Sequence, residues 1–365
     1  METETISSRN LRSLLILMVL CGSLVNGAFT VMQDTWIAVL LMGILFLPAI
    51  LMYSRICALL PEKNLYEMIT ALFGRTVSFL MTLLMSLYAL VVTALQLRNF
   101  TEFTVVIALQ NTPPIPIMII LILPVAYLAK QGLQVLGRWS LIICAIIAVN
   151  VSLTILFALN VIDLSHILPI MDHPFLDIAS NAFTVGCIAV GEAVMTMVAM
   201  GNLKEGKSPY KVYLPGVLTG VALFALVILR NISILGPDME QAAKFSTYMA
   251  VRIIAVGSFF ERIESSISFI YILLGITKMT LFLSAAAMGI ARLLKIADYK
   301  RLLLPVGLLV LAVSTVVFNN AFEMFELAWI YRYFALLFQV LIPLIIWVKA
   351  EIRSRKRPAA TTKSL

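Results

Sequence analysis

One stretch constrains the fold of this chain more than any other, residues Asn181 to Asn202, with the sequence NAFTVGCIAVGEAVMTMVAMGN. It is apolar and long enough to cross a bilayer as a helix, which takes roughly 20 residues. Yet it holds two glycines, Gly186 and Gly191, and a carboxylate, Glu192, near its middle. A glutamate at membrane depth is costly unless it faces protein, water or a cation, so it marks a functional site. We therefore expect a helix that is interrupted beside Glu192.

Composition places the rest of the chain in the membrane as well. Of its 365 residues, 61% are hydrophobic and 13% are charged, and the mean hydropathy is +1.01. These values are typical of an all-α polytopic membrane protein and not of a soluble one. Ten segments are long enough to span a bilayer, and we number them spans one to ten. They lie at about 12–31, 35–60, 77–104, 115–131, 138–160, 181–201, 211–234, 265–293, 302–319 and 326–349.

Lysine and arginine residues predict the orientation of these spans. With the amino terminus in the cytoplasm, most basic residues fall on the inner side, and the outer loops hold Arg98, Arg230, Lys244, Arg252 and Arg262. Because short cytoplasmic loops carry an excess of Lys and Arg, both termini are predicted to be cytoplasmic. The basic tail at 350–365 is interpreted as an anchor on the anionic lipid bilayer, and no nucleic-acid partner is expected.

Residues typical of catalysis are sparse. The four cysteines lie within apolar segments, and the two histidines, His166 and His173, lie in one outer loop. Neither a disulfide framework nor a metal-ligand spacing follows from this arrangement. No nucleophile motif or phosphate-binding glycine loop is present. The chain is therefore not expected to be an enzyme, and we predict no catalytic residue, no cofactor and no metal.

The first span repeats the glycine spacing of the sixth. Gly22 and Gly27 are five residues apart with Asn26 between them, and Gly186 and Gly191 have the same spacing. Five spans separate equivalent points, so the second copy would cross the membrane upside down. Glycine interruptions at matching places in two inverted halves indicate a ligand site at the repeat interface, with these residues lining it. Close packing of helices at small residues explains the same spacing equally well.

Lys278 is the other conspicuous buried charge. It lies near the centre of span eight, at a depth similar to that of Glu192 in span six. Either charge alone would be costly, so we hypothesise that both face one interior cavity, as a direct pair or as separate contacts to ligand and backbone. The alternative is that one of them snorkels or pairs with another polar group. Thr277, beside Lys278, is a further candidate ligand contact.

Two outer features are candidates for a gate. Arg98 and Glu102 are four residues apart near the outer end of span three. They form either an intrahelical ion pair or a gate that contacts the ligand. The connection from Gly236 to Ser265 alternates apolar and charged residues but holds too many charges to span. It is predicted to form helices over the outer mouth of the bundle.

Together these features resemble one known family. The order of the ten spans, the segment IASNAFT from Ile178 to Thr184, Arg98 with Glu102, and the string FERIES from Phe260 to Ser265 are similar to the B subunits of bacterial spore germinant receptors. These GerAB-type spore permeases belong to the amino acid, polyamine and organocation superfamily. The resemblance extends from residue 6 to about residue 350.

The resemblance implies a LeuT-like fold of two inverted five-helix repeats, at about 12–160 and 181–349, with helices one and six broken around a ligand site. It also implies a small-molecule germinant, an amino acid, bound at the midplane in the inner membrane of the spore. The implied partners are a larger A subunit and a lipoprotein C subunit. In related transporters span eight helps to form a sodium site, where Lys278 would replace the ion. An amino acid permease, proton-coupled or not, and a water or ion conduit remain alternatives.

Overall fold

A computed structural model describes residues 5–23, 28–204, 206–254 and 264–355 of the chain. These residues are almost wholly helical, and their β contact is a single bridge between Ile6 and Leu203. Eight helices in the described ranges are long and apolar enough to cross a membrane. They are Met32–Leu59, Arg75–Ile107, Pro114–Gln131, Leu133–Ala158, Phe175–Met200, Tyr210–Leu235, Ser265–Leu294 and Ala321–Arg355.

These eight helices correspond to predicted spans two to eight and ten. Spans one and nine are the shorter helices Ser8–Cys21 and Leu303–Ser314. At about 1.5 Å per residue, neither helix alone reaches across a hydrocarbon core of about 30 Å. The prediction of ten spans is therefore confirmed for eight. Residues 24–27, which include the predicted site residues Asn26 and Gly27, lie outside the described residues.

Span six lies at the centre of the bundle. Every residue from Thr184 to Met200 is buried, whereas spans four, five and nine expose large side chains such as Ile120, Ile142 and Leu304. An apolar side chain that faces outward from a membrane bundle contacts lipid without cost, so these spans form the periphery. Glu192 consequently lies inside protein and not against lipid.

An outer layer covers the ends of the spans on the side that the basic residues assign to the outside. It consists of the loop 159–174 and two short helices, Pro237–Ala242 and Ser246–Ile253. The second of these helices packs against spans seven and eight. The prediction of helices in this connection is confirmed for both, and residues 255–263, with most of the FERIES string, lie outside the described part of the chain.

Candidate functional site

Span six changes its helical type beside Glu192. An α-helix runs from Phe175 to Ala189, a 3₁₀ helix from Gly191 to Thr196, and a last α-helical turn from Met197 to Met200. A mid-helix stretch of 3₁₀ often marks a functional hinge, because the i to i−4 hydrogen bonds are interrupted there. The predicted interruption is thus present, as a change of helical type between two α-helical pieces.

Side chains from other spans bind the carbonyl groups at this break. Nζ of Lys278 donates to the carbonyl of Ile188 at 3.1 Å, and Nε2 of Gln339 donates to that of Cys187 at 2.7 Å. The hydroxyl of Tyr53 contacts the carbonyl of Gly191 at 3.4 Å. Because buried carbonyls need donors, these contacts compensate for the interrupted helical bonds. Side chains from spans two, eight and ten therefore stabilise the break in span six.

Glu192 and Lys278 form a buried ion pair. Oε2 of Glu192 lies 2.8 Å from Nζ of Lys278, and the two side chains are 2% and 1% exposed. The other carboxylate oxygen of Glu192 accepts a hydrogen bond from the hydroxyl of Tyr331 at 2.8 Å. A buried pair needs such additional bonds, since desolvation of two charges otherwise exceeds their attraction. The direct pairing is therefore present, and neither side chain faces lipid.

A chain of hydrogen bonds extends from this pair into spans three and ten. The hydroxyl of Tyr331 lies 2.9 Å from that of Tyr88, which accepts from Nε2 of Gln339 at 2.9 Å. Gln339 lies in a single π-helical turn, Leu337–Leu341, within span ten. Such turns are rare and frequent at functional sites, because the extra residue redirects a side chain. Here the turn lies where Gln339 reaches both Tyr88 and span six.

The glycines of the sixth span permit close approach of neighbouring helices. A Cβ atom at Gly191 would overlap Oε1 of Gln339, and one at Gly186 would come within 2.5 Å of the Phe46 ring. Gly22 at the end of the first helix similarly approaches span six, because its Cβ would lie 2.5 Å from that of Ala189. Gly186 is thus a packing contact within the α-helix, whereas Gly191 lies at the break itself.

A small cavity adjoins the ion pair between spans three, six and ten. Its volume is about 30 Å³, and its polar lining consists of Gln96, Asn99, Glu192 and Tyr331. A cavity needs at least 10–15 Å³ to hold one water, so this one admits one or two water molecules. An amino acid does not fit. In this structure the space beside the ion pair is therefore too small for such a ligand.

Arg98 and Glu102 lie above this cavity in span three. Nη2 of Arg98 is 3.5 Å from Oε2 of Glu102, and both side chains are buried. Arg98 also donates to the carbonyls of Phe318 (3.0 Å) and Asn319 (2.7 Å), just before span ten. The ion pair along the helix is therefore present, and the same guanidinium joins span three to the start of span ten on the outer side.

Thr277 is placed differently from its neighbour Lys278. Its hydroxyl accepts a hydrogen bond from Nε1 of Trp139 in span five at 3.0 Å and donates to the carbonyl of Leu273. It is not among the residues that line the cavity beside Glu192. Thr277 thus joins spans five and eight in this state.

Sequence reasoning missed Tyr331, Gln339 and Tyr53 as parts of this site. Each is a common residue in an apolar span, and each reaches the break from a span distant along the chain. One signal was available, since a glutamine within a transmembrane segment is costly unless it finds a hydrogen-bond partner. Applied to span ten, that rule would have selected Gln339.

The arrangement of helices is shared with a solved membrane transporter. The structure of Mhp1, a nucleobase-cation-symport-1 family transporter in a closed conformation with bromovinylhydantoin bound, matches 99% of this chain and 82% of its own, with a TM-score of 0.70. Sequence identity is 12%, so the likeness concerns the fold alone. The chain is an integral membrane protein with a LeuT-like transporter fold, as predicted.

Sequence comparison then gives the family. The profile of the family described as "Spore germination protein" matches residues 5–323. Spore germination protein KB of Bacillus subtilis (strain 168) is 27% identical over 98% of this chain and 97% of its own length. The putative spore germination protein YfkT of the same organism is 23% identical over 87% of each chain. The chain therefore belongs to the spore germination permease family, and the resemblance is confirmed.

Proposed function

We propose that this chain is the germinant-binding membrane subunit of a spore germinant receptor and that it binds an amino acid beside the break in span six. One observation carries the proposal: a buried ion pair lies at a helix break next to a small cavity. A zwitterion has a carboxylate for Lys278 and an ammonium for Glu192. It can therefore separate the pair and leave neither charge without a partner.

Ligand binding at this site requires movement of the bundle. The cavity of about 30 Å³ has no room for an amino acid, so spans three, six and ten must separate before one enters. The hydrogen bonds from Arg98 to the residues before span ten close the outer side in this state. A ligand that fits only the open state shifts the population toward it, and this shift is the signal.

The position of Lys278 supports binding without sodium. Its ammonium lies at the carbonyl of Ile188, near the carboxyl end of the first helical piece of span six. Carbonyls at such an end attract a cation. A fixed ammonium there takes the place of a bound ion, and we infer that germinant response does not depend on sodium. An unchanged response in Lys278→Met spores would contradict this role of the lysine.

We infer further that the bundle passes its change of state to partner subunits. The family membership supports a larger A subunit and a lipoprotein C subunit as these partners, in the inner membrane of the spore. The basic residues support termini on the spore-core side. In this scheme net transport is not required, because the population of bundle states carries the information.

The proposal is tested in spores that lack their own B subunit and carry this chain. Germination is measured with each of the twenty L-amino acids and with D-glucose.

Ala328 lines the cavity and is 4% exposed, so Ala328→Leu fills the cavity without removing a charge. The matched control is Ala312→Leu, at an exposed position of span nine. We expect an amino acid response in the original chain and in the control, and its loss in Ala328→Leu at equal protein level. Equal responses in both variants would contradict the site, and a response to D-glucose alone would contradict an amino acid ligand.

Net transport is the second candidate function, and the transporter fold favours it. The discriminating measurement uses proteoliposomes that hold the purified chain. The amino acid that triggers germination is labelled, and its uptake into these proteoliposomes is measured. Accumulation favours a permease, and a pH gradient that drives it favours proton coupling. Binding without flux favours the receptor, while osmotic water or ion flux without ligand favours a conduit.

A further inference from the structure

A second cavity lies on the outer side, away from the central site, and we call it the Arg230 cavity. It has a volume of about 40 Å³ and lies between span one, spans five, seven and eight, and the helix Ser246–Ile253. Its polar lining consists of Ser23, Asn150, Arg230, Thr247 and Tyr271. Arg230 itself is 4% exposed. A guanidinium is therefore held inside the bundle at the wall of a small cavity.

The charge of Arg230 has no acidic partner among the described residues. Its hydrogen bonds go to neutral side chains, from Nη1 to Thr154 at 2.8 Å and from Nη2 and Nε to Oδ1 of Asn231 at 2.7 and 3.3 Å. No described carboxylate oxygen lies within 4.0 Å of it, in contrast to Lys278. A buried charge without a counter-charge is strongly unfavourable, so a compensating anion is expected nearby.

Glu240 is the acidic residue that faces this region from the outer layer, and it compensates the charge only in part. It is buried in the helix Pro237–Ala242, and burial raises its pKa to about 7, against the opposing effects of Ser246 and Arg230. Burial thus disfavours the ionised form of Glu240, and in its neutral form this carboxyl does not compensate the guanidinium.

Arg230 retains donors for a ligand. A guanidinium has five N–H groups, and the three bonds to Thr154 and Asn231 leave one N–H on each terminal nitrogen. The hydroxyl of Thr247, which accepts from Nδ2 of Asn231, lines the same space, whereas the hydroxyl of Tyr271 already donates to the carbonyl of Ser23 at 3.4 Å. Oδ1 of Asn150 is buried there without a donor, and a water molecule beside an anion would satisfy it. The cavity therefore offers the charge of Arg230 and its two free N–H groups, which is the chemistry of an anion site.

We propose that the Arg230 cavity binds a small monovalent inorganic anion, of which chloride has the fitting size. The space admits a few water-sized atoms and excludes a free amino acid. A bound anion would contact the end of span one at Ser23, span seven at Arg230, span eight at Tyr271 and the outer helix at Thr247. It would therefore stabilise the packing of the outer layer on the bundle. This site is separate from the central one and does not rest on the proposed germinant.

The test is the thermal unfolding of the purified full chain in nanodiscs, in sodium chloride and in sodium gluconate at equal ionic strength. Gluconate is too large for the cavity and serves as the non-binding anion. We expect chloride to raise the Tm by about 3 °C, in a saturable manner. An equal Tm in the two salts at every concentration overturns the proposal.

Two variants separate anion binding from a merely structural role of the arginine. Arg230→Gln removes the charge, and we expect the chloride shift to be lost. Asn231→Asp keeps the shape and places a carboxylate oxygen at the position now 2.7 Å from Nη2, so an internal counter-ion replaces the external one. We expect it to lose the chloride shift while its Tm in gluconate is at least that of the original chain. Arg252→Gln, at an exposed arginine of the same outer layer, is the control and keeps the full shift. If Arg230→Gln does not fold, the Asn231→Asp variant alone tests the proposal. A chloride-dependent rise in its Tm as large as that of the original chain overturns the proposal.

Discussion

The bundle buries two clusters of charge that differ in how the charge is neutralised. At the centre, Lys278 meets Glu192 at 2.8 Å, and a tyrosine hydroxyl completes the pair. On the outer side, Arg230 is buried to a similar degree but bonds to the neutral side chains of Thr154 and Asn231. The central ion pair neutralises its own charges and needs no further ion, whereas a guanidinium without a nearby carboxylate needs a counter-ion. The difference is why we propose a zwitterion for one site and a small anion for the other.

Unpairing the central cluster should have the largest effect. Glu192→Gln leaves a buried ammonium without a counter-charge, and we expect it to lower the free energy of unfolding by about 3–5 kcal/mol. Lys278→Met should act in the same direction. The double variant removes both charges and should recover most of the loss. The measurement is thermal unfolding of the purified protein in one detergent.

Arg230→Met is the comparison for this series. It breaks no ion pair within 4.0 Å among the described residues, and its nearest acidic neighbour, Glu240, has a raised pKa, so it should cost less than either central single variant. A double central variant that is no more stable than the singles would show that the two residues act independently. An Arg230→Met variant as damaged as Glu192→Gln would remove the distinction between the clusters.

Gly191→Ala should come next, because the added Cβ overlaps the amide of Gln339 at the break. Overpacking of this kind costs about 1–3 kcal/mol, and here the obstacle is a hydrogen-bonded group that cannot move freely. Gly307→Ala is the matched control, since nothing lies within 4 Å of its added Cβ and alanine favours a helix. We expect a lower Tm for the first variant and an equal or higher Tm for the second. Equal effects would mean that the contact between spans six and ten is dispensable.

Tyr331→Phe tests the hydrogen bond that completes the central pair. It removes the donor to Glu192, and we expect a loss of about 2 kcal/mol, as for hydrogen bonds to charged groups. The control is Tyr333→Phe in the same span, where the side chain is 66% exposed. The unfolding temperatures of both are compared with that of the original chain. If Tyr331→Phe does not change the unfolding temperature, Lys278 is the only partner that the carboxylate of Glu192 needs.

Glu240 should give the outer cluster a pH dependence. Burial raises its pKa to about 7, above the ordinary value of about 4.3. Between these two values the folded protein holds a proton that the unfolded chain releases, so stability falls as pH rises through this window. The expected slope is about 1 kcal/mol per pH unit.

The check is the Tm at pH 5, 6 and 7 for the original chain and for Glu240→Gln. Other titratable groups of the outer layer, such as Asp34, His166 and His173, are the same in both, so the difference in slope belongs to Glu240. Identical slopes would contradict its altered titration in the folded state.

Much of the fold was predictable because its determinants are local. Hydropathy and the placement of lysine and arginine located eight of the spans. The conspicuous charges at Glu192 and Lys278 suggested one shared interior cavity, with a direct pair as one of two possible arrangements. The outer helices were predictable from their charge content. Spans one and nine were predicted as full spans and are the short helices Ser8–Cys21 and Leu303–Ser314 within the described residues.

The partners at the break were not predictable. Tyr331 is 139 residues from Glu192, and Gln339 is 251 residues from Tyr88, so no local pattern connects them. The π-helical turn at Leu337–Leu341 has no signature in the hydropathy of span ten. Whether Gly186 and Gly191 permitted unwinding or close packing also depended on which side chains lie opposite them, here Phe46 and Gln339.

By itself, the sequence determined that this chain enters the membrane, where its helices run and that a carboxylate at membrane depth must be compensated. These properties follow from the transfer free energy of each segment, which depends on that segment's own residues. Only the tertiary structure decided that Lys278 compensates Glu192 directly while Arg230 meets neutral partners. Such pairing depends on distances between spans, and distances of a few ångströms between remote residues arise only when the helices pack.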